Sequence, residues 1–100
     1  MWAEDWAKTV ANLAENSHLR GVFNIGGREY ISVDELKDKL LKLIPESKSV
    51  ISYLDAENAN VVSKKPDISK SIRLLNHNPN TTLDVGLPIT IEWMKKECGF

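Results

Sequence analysis

Few side chains in this 100-residue sequence have the types and spacing that catalysis requires. Its two histidines, His18 and His77, each lie in a polar stretch that predicts a solvated loop, and Cys98 is the one cysteine. A zinc site takes about four nitrogen, sulfur or carboxylate ligands, so three such residues do not define one. The acidic pair Glu4-Asp5 suits the first turn of a helix, where carboxylates oppose the helix dipole. We therefore predict no catalytic residue and no metal site in this chain.

Motifs that hold nucleotides or cofactors are also missing from the sequence. There is no G-x-S-x-G and no P-loop, and the five glycines form neither G-x-G-x-x-G nor G-x-x-G-x-x-G. Neither Tyr30 nor Tyr53 begins a Y-x-x-x-K. The Gly26-Gly27 pair predicts a tight turn after a strand, because glycine permits positive φ, rather than a phosphate site. We expect this chain alone to hold no cofactor.

The composition is that of a globular protein, with 42% hydrophobic residues, 27% charged residues and a formal net charge of −1. This length fits a single domain over residues 1–100. The near-neutral charge argues against a general nucleic-acid binder, and no run approaches the roughly 18 apolar residues of a membrane span. The start MWAEDWAKTV lacks the apolar core of a signal peptide, and a lone cysteine fits the cytosol. We expect a cytoplasmic protein that binds neither nucleic acid nor membrane.

Four helices are predicted from apolar residues at helical spacing and from their capping residues. Ser32 and Glu35 form a capping box before the clearest helix, which Pro45 ends. Asp67 is placed to cap the third helix and Thr82 the fourth, in which Pro88 predicts a kink or a restart. The predicted helices cover residues 4–16, 33–44, 68–75 and 83–97.

Two short strands are predicted over residues 22–25, VFNI, and 50–54, VISYL, because both are rich in apolar and β-forming residues. The fold class is then α/β, as a mostly helical chain with two short strands. Trp6 and Trp93 fall on apolar helix faces and should be buried, whereas Trp2 should be more exposed. Two isolated strands make only a marginal sheet, so this organisation already suggests a missing partner.

The series AEDWAKTVANLAEN, GVFNIGGREYISVDELKDKLLKLI, PDISKSIRLLNHNP and TTLDVGLPITIEWMKK resembles the C-terminal part of the extended short-chain dehydrogenase/reductase family. More narrowly, it resembles the NAD-dependent nucleotide-sugar epimerases and dehydratases, over essentially the whole chain and in the right order. The matching positions are Asp5, Ala7, Phe23, Asn24, Ile25, Gly26, Asp67, Ser69, Lys70, Leu75, Pro79, Thr82, Leu83, Gly86, Leu87, Thr90, Ile91 and Trp93.

The resemblance implies that this chain is the C-terminal substrate-binding domain of a larger enzyme. In that family the glycine fingerprint for NAD and the Tyr-x-x-x-Lys pair lie in an upstream Rossmann domain, which this sequence lacks. The parent enzyme would be a nucleotide-sugar 4-epimerase or 4,6-dehydratase, with this part binding the nucleotide sugar rather than breaking bonds. We expect the chain to self-associate or to associate with a Rossmann domain.

The resemblance also implies a substrate loop over residues 57–65. Many family members carry R-P-G-(D/H) there, but the arginine position is Glu57 and the Asp/His position is Asn60. A guanidinium offers a diphosphate a planar set of donors that glutamate lacks. We therefore expect Asn60 to bind the nucleotide, with positive charge supplied by Lys64 and Lys65, which could equally be solvated lysines.

Two other cations, Arg28 and Arg73, could also replace the missing arginine. The alternative function is a stand-alone, mostly helical binding or interaction module without catalysis. An in-frame glycine fingerprint and a Y-x-x-x-K upstream of Met1 would decide for the enzyme.

Overall fold

The computed structural model describes residues 1–56, 58 and 64–99, and within them the chain forms four helices and no strand. All four predicted helices are present, with ends within about two residues of those expected. The predicted α/β class is wrong, because the described chain is all-helical. The helices are α1 (Ala3–Glu15), α2 (Val33–Leu43), α3 (Ser69–Leu75) and α4 (Leu83–Cys98).

The predicted strands at residues 22–25 and 50–54 are irregular backbone. A strand needs a neighbour that donates to and accepts from its backbone, and neither segment makes a backbone–backbone hydrogen bond within the described chain. Val22, Val50 and Leu54 are 82%, 91% and 90% exposed. Both segments are rich in residues that favour strands, but within the described chain no second strand pairs with them to form a sheet.

A capping box fixes where α2 begins. The Ser32 hydroxyl accepts from the Glu35 amide at 3.1 Å and the Ser32 amide donates to the Glu35 carboxylate at 3.2 Å, which confirms the capping box. At α3 the N-cap residue is Ile68 rather than the predicted Asp67, and no side chain caps the helix, although the Asp67 carboxylate accepts from the Ser69 amide at 2.9 Å. Hydrogen bonds from the Ser69 side chain and backbone lower the pKa of Asp67.

Helix α4 is capped by a residue from elsewhere in the chain. The Thr82 side chain makes no capping hydrogen bond, and the Leu83 amide donates instead to the Glu29 carboxylate at 2.8 Å. The helix continues through Pro88 without restarting and ends at Gly99, whose φ of +73° glycine adopts without strain. This hydrogen bond therefore holds Glu29 beside the first turn of α4.

The apolar core is small. Among the described residues only Leu75 and Ile91 are buried hydrophobic side chains, and four polar side chains are buried beside them. Trp6 is 49% and Trp93 is 59% exposed, so the prediction that both are buried is wrong. Trp2, expected to be exposed, is partly covered and its ring lies against Gly86.

The arrangement is open for its length. The radius of gyration is 17.1 Å, against about 13 Å for a compact domain of 100 residues. No helix in the described ranges has the length and apolar character needed to cross a membrane. An open body with a small core leaves much of its apolar surface facing solvent.

Candidate functional site

The buried polar residues Asp5, Thr9, Ser71 and His77 form one cluster, here called the polar junction. It exists because α1 turns a polar face inward: Asp5 and Thr9 are four residues apart and share that face. Helix α3 ends at Asn76, which takes a left-handed conformation with φ of +50°. That turn directs the chain back, so that His77, 1% exposed, enters the space between α1 and residue 26.

His77 connects two distant parts of the chain through both ring nitrogens. Nδ1 lies 2.6 Å from the Thr9 hydroxyl and Nε2 lies 2.7 Å from the carbonyl oxygen of Gly26. A carbonyl only accepts hydrogen bonds, so Nε2 carries a proton. In the neutral ring Nδ1 then accepts from the Thr9 hydroxyl, whose other acceptor is the Asp5 carbonyl at 3.1 Å. The ring therefore acts as a structural bridge with both nitrogens occupied.

The rest of the polar junction anchors two more backbone segments. The Ser71 hydroxyl donates to the carbonyl of Asn24 at 2.5 Å. The Asp5 carboxylate accepts from the Thr81 amide at 3.0 Å and from the Thr81 hydroxyl at 3.2 Å. No buried side-chain polar atom among the described residues lacks a hydrogen-bond partner. The junction is a satisfied framework that holds residues 24–26 and 76–81 against α1.

Residues 79–81, which the junction holds in place, line part of a cleft of about 440 Å³, here called the α4 cleft. Its floor includes the Trp2 ring, which packs so closely on Gly86 that an added Cβ would sit 3.0 Å from a ring carbon. Its rim includes Arg28, which donates to the Asn80 side-chain oxygen at 3.1 Å, and Glu29. The cleft is lined by Met1, Trp2, Gly27, Arg28, Glu29, Pro79, Asn80, Thr81, Thr82, Leu83, Gly86, Leu87 and Thr90.

The α4 cleft is lined by both apolar and polar residues. A mixed lining of this kind occurs in pockets for organic ligands, and Arg28 adds one cation. Thr90 donates to the Gly86 carbonyl at 2.9 Å within its own helix, and Glu29 is engaged at the start of α4. No nucleophile–base pair converges here within the described chain. Nor do three or more potential metal ligands cluster in its described residues.

The predicted substrate residues are only partly placed by the structure. Asn60 and Glu57 lie outside the described residues. Lys64 and Lys65 are exposed, and the Lys65 ammonium lies 5.0 Å from the centre of the Tyr30 ring. Lys65 therefore approaches the segment that carries the rim of the α4 cleft, whereas Lys64 has no described partner.

The two alternative cations differ in position. Arg28 lies at the rim of the α4 cleft, and Arg73 is exposed on α3. The sequence predicts Arg28 only as a possible replacement for the missing arginine. Its position directly after the Gly26-Gly27 pair is a sequence feature that could have pointed to it as a site residue. The glycine pair itself does not make the expected positive-φ turn: positive φ occurs at Gly21, while Gly26 is instead closely approached by Pro66.

The histidine predictions had opposite outcomes. His18 is exposed as predicted, and Cys98 is exposed too. The prediction that His77 is solvated is wrong, because its partners Thr9 and Gly26 are far away in sequence. Asp5, explained from the sequence by the helix dipole, is buried and accepts from Thr81. Local sequence carries no signal for such contacts.

A second polar cluster lies on the surface of α2. The Tyr53 hydroxyl donates to the Asp34 carboxylate at 3.0 Å, and Lys37 pairs with the same carboxylate at 3.3 Å. The Tyr53 hydrogen bond, followed by that of Lys37, lowers the pKa of Asp34, and the Asp34 hydrogen bond raises the pKa of Lys37. All three groups stay accessible to water, so the cluster does not resemble a catalytic site.

Comparison with known proteins gives one informative similarity. The chain is 35% identical over 71 residues to a UDP-glucuronate 4-epimerase from Thermodesulfobacterium geofontis, which covers 71% of this chain and 22% of that protein. The chain thus matches about a fifth of the length of this relative. No family model matches the chain, and no solved structure matches it. The expected relation to NAD-dependent epimerases is supported at this distant and partial level.

Proposed function

We propose that this chain is the nucleotide-sugar-binding portion of an NAD-dependent nucleotide-sugar 4-epimerase, with the catalytic groups outside it. The observation that carries the proposal is the 35% identity over 71 residues to a UDP-glucuronate 4-epimerase. The matched share of that relative, 22%, is the size of one domain rather than of a whole enzyme. A chain with a cleft and, within its described residues, no catalytic constellation suits such a division of labour.

In this proposal the residues of the chain position the substrate. Arg28 at the rim of the α4 cleft offers a planar set of donors that suits a diphosphate. Lys65, held over Tyr30 beside that rim, adds a second positive charge. Asn60 and Lys64 complete the proposed set on sequence grounds. Their contribution to the rate would be orientation of the bound sugar, which lowers the entropic part of the barrier.

NAD would be held elsewhere in the proposed enzyme. The five glycines of this chain do not form the fingerprint that approaches a pyrophosphate closely, so its residues do not fit that cofactor. When bound, NAD supplies hydride transfer at the sugar. We expect the isolated chain to show no micromolar affinity for NAD by calorimetry and no turnover of a nucleotide sugar. Micromolar NAD binding, or turnover, would count against the proposed division of labour.

The decisive test of substrate binding uses the full-length enzyme. Asn60→Ala, Lys64→Ala and Arg28→Gln should each raise the KM for the nucleotide sugar while leaving the affinity for NAD unchanged. Lys42→Gln, an exposed lysine on α2, serves as a matched control. If all three variants keep the wild-type KM, the nucleotide contacts lie outside this chain and the proposal is wrong.

A second candidate function is a stand-alone helical interaction module. The observation in its favour is that sixteen large apolar side chains are exposed while only Leu75 and Ile91 are buried among the described residues. Surfaces of this kind mark contacts with partners. The coding sequence directly upstream of Met1 discriminates the two: an in-frame glycine fingerprint with a Y-x-x-x-K favours the enzyme, and their absence favours the module.

A further inference from the structure

The buried ring of His77 has hydrogen-bond partners for either of its protonation states. Nε2 lies 2.7 Å from the Gly26 carbonyl, which only accepts, and Nδ1 lies 2.6 Å from the Thr9 hydroxyl, which donates or accepts. The same hydroxyl lies 3.1 Å from the carbonyl oxygen of Asp5, one turn earlier in α1. The single hydroxyl hydrogen therefore has two acceptors within reach, and its choice decides whether Nδ1 must carry a proton.

The two arrangements differ by one proton. In the neutral ring the Thr9 hydroxyl donates to Nδ1, and the Asp5 carbonyl does not depend on the hydroxyl because it accepts from the Thr9 amide within α1. In the imidazolium both ring nitrogens donate, Nε2 to the Gly26 carbonyl and Nδ1 to the Thr9 oxygen. The Thr9 hydrogen then turns to the Asp5 carbonyl. Every one of these groups has a partner in both arrangements.

The surrounding charges favour a positive ring. Within four residues of its contacts Thr9, Gly26 and Ser71, one charged side chain is buried, and it is the negative carboxylate of Asp5. The other charged or titratable side chains in these ranges are exposed, so solvent screens them. These exposed groups are Lys8 on α1, Arg28, Glu29 and Tyr30 after Gly26, and Asp67, Lys70 and Arg73 at α3.

A second cleft gives protons a route to the pair. This cleft, of about 460 Å³ and here called the α1 cleft, includes Asp5, Thr9 and Asn78 in its lining, and all of its lining residues are polar. A polar cleft of this size admits water. Proton exchange with His77 therefore requires a small opening beside Thr9 rather than unfolding of the chain.

We propose that Thr9 and His77 form a proton-dependent hydrogen-bond switch in the polar junction. When Nδ1 takes up a proton from solvent, the Thr9 hydroxyl turns its hydrogen from that nitrogen to the Asp5 carbonyl, and Nε2 keeps its bond to Gly26. The switch moves one hydroxyl hydrogen and leaves residues 24–26 and 76–81 in place. The buried histidine thus changes its charge within the folded chain. The inference does not rest on the function proposed above.

Nitrogen-15 NMR of the His77 ring tests the switch directly in the wild type. Between about pH 7.5 and pH 5, where histidines commonly titrate, Nδ1 should become protonated while Nε2 stays protonated. The carbonyl carbon shift of Gly26 should stay close to its value at neutral pH, and circular dichroism should show that the helices remain. A ring that stays neutral in the folded chain overturns the proposal. Protonation that unfolds the chain or releases Gly26 overturns it too.

A matched pair of substitutions isolates the hydroxyl. Valine has the shape of threonine but cannot accept from a protonated Nδ1, so Thr9→Val leaves the imidazolium with an unpaired buried donor. Thr9→Ser keeps the hydroxyl and serves as the control. The native Thr9→Val chain should bind the His77 proton less well than the native wild type, while the unfolded chains bind it equally. Its stability relative to the wild type should therefore fall as pH falls.

Urea denaturation followed by circular dichroism measures this effect as the equilibrium constant for unfolding at about pH 7.5 and pH 5. Relative to the wild type, the constant for Thr9→Val should rise about fivefold or more over this range, because a lost hydrogen bond to a charged group costs more than one to a neutral group. The ratio for Thr9→Ser should stay constant within about twofold. A constant ratio for Thr9→Val, or an equal rise for Thr9→Ser, overturns the proposal.

Discussion

The polar junction and the surface of α2 both depend on hydrogen bonds made by side chains, but the bonded groups differ in their exposure to solvent. His77, Thr9 and Ser71 are 1%, 1% and 0% exposed, and each bonds to a group at least 47 residues away along the chain. Within the described residues the Asp34 carboxylate contacts Lys37 and Tyr53, and all three groups are accessible to solvent. One set of bonds connects distant segments and the other stabilises a local surface.

The difference shows how a chain with a small apolar core fixes its tertiary structure. A buried donor or acceptor left without a partner costs about 1–3 kcal/mol. Few other arrangements of the junction's side chains would therefore be as stable. A solvated pair loses little when it breaks, because water replaces the lost partner. We therefore expect the position of residues 24–26 and 76–81 to depend on the junction, and the shape of α2 to depend mainly on its own backbone.

The largest effect is expected at the centre of the junction. His77→Ala removes both ring hydrogen bonds, leaves the Gly26 carbonyl and the Thr9 hydroxyl without that partner, and opens a cavity. The free energy of unfolding should fall by about 2–4 kcal/mol. His18→Ala, at an exposed histidine, should change it by less than about 0.5 kcal/mol. Urea denaturation followed by circular dichroism measures both, and equal effects would contradict the structural role assigned to His77.

A smaller effect is expected from Ser71→Ala, which removes one hydrogen bond of the junction and leaves the carbonyl of Asn24 unpaired. Unfolding free energy should fall by about 1–2 kcal/mol. Ser17→Ala, at an exposed serine, is the control. Changed backbone NMR chemical shifts at residues 24–26 in the Ser71 variant, with those of α2 unchanged, would show that this bond fixes that segment. Unchanged shifts at residues 24–26 would contradict the assignment.

At α2 the expected effect is local. Ser32→Ala removes one half of the capping box and should destabilise the start of α2 by about 1 kcal/mol or less. Exchange of the Glu35 amide, which donates to the Ser32 hydroxyl, should quicken, while the backbone NMR chemical shifts of residues 24–26 stay unchanged. Changes at both places would mean that α2 and the junction respond together, and the comparison between the regions would fail.

The smallest effect concerns pH. The pKa of Asp34 is lowered in the folded chain, so the unfolded state binds more protons as pH falls past about 3.8, its ordinary value. The stabilisation by Asp34 is complete above that value and is lost as pH falls through the lower, folded pKa. The stability difference between wild type and Asp34→Asn should therefore shrink between about pH 5 and pH 2. Glu92→Gln is the control, and a constant difference would contradict the assigned contact.

Local signals in the sequence predicted the helices well. The Ser32–Glu35 capping box and the Asp67–Ser69 hydrogen bond act over two or three residues, so they can be recognised without knowing the fold, although the N-cap of α3 is Ile68. Thr82 marked the right boundary for α4, although the cap comes from Glu29, 54 residues earlier. A helix start is thus visible from its neighbours even where the capping group is not.

Burial and strand pairing could not be predicted in the same way. The apolar spacing of α1 indicated that Trp6 faces the core, but the helix buries Asp5 and Thr9 instead, because their partners at residues 77 and 81 accept and donate hydrogen bonds there. The two predicted strands have suitable composition, but neither has a neighbouring strand within the part of the chain that the structure describes. At the candidate site, the position of Arg28 beside the α4 cleft depends on its contact with Asn80, 52 residues away.

The long sequence separations within the polar junction bear on how the chain folds. Single helices form within about a microsecond, whereas contacts between distant residues require the intervening chain to be closed into a loop first. The bonds of His77 close loops of 51 and 68 residues, so we expect them to form after the rate-limiting step. Substitutions at the junction should then speed unfolding far more than they slow folding. The segment that bears the rim of the α4 cleft would be the last part of the molecule to be fixed in place and the first to be released.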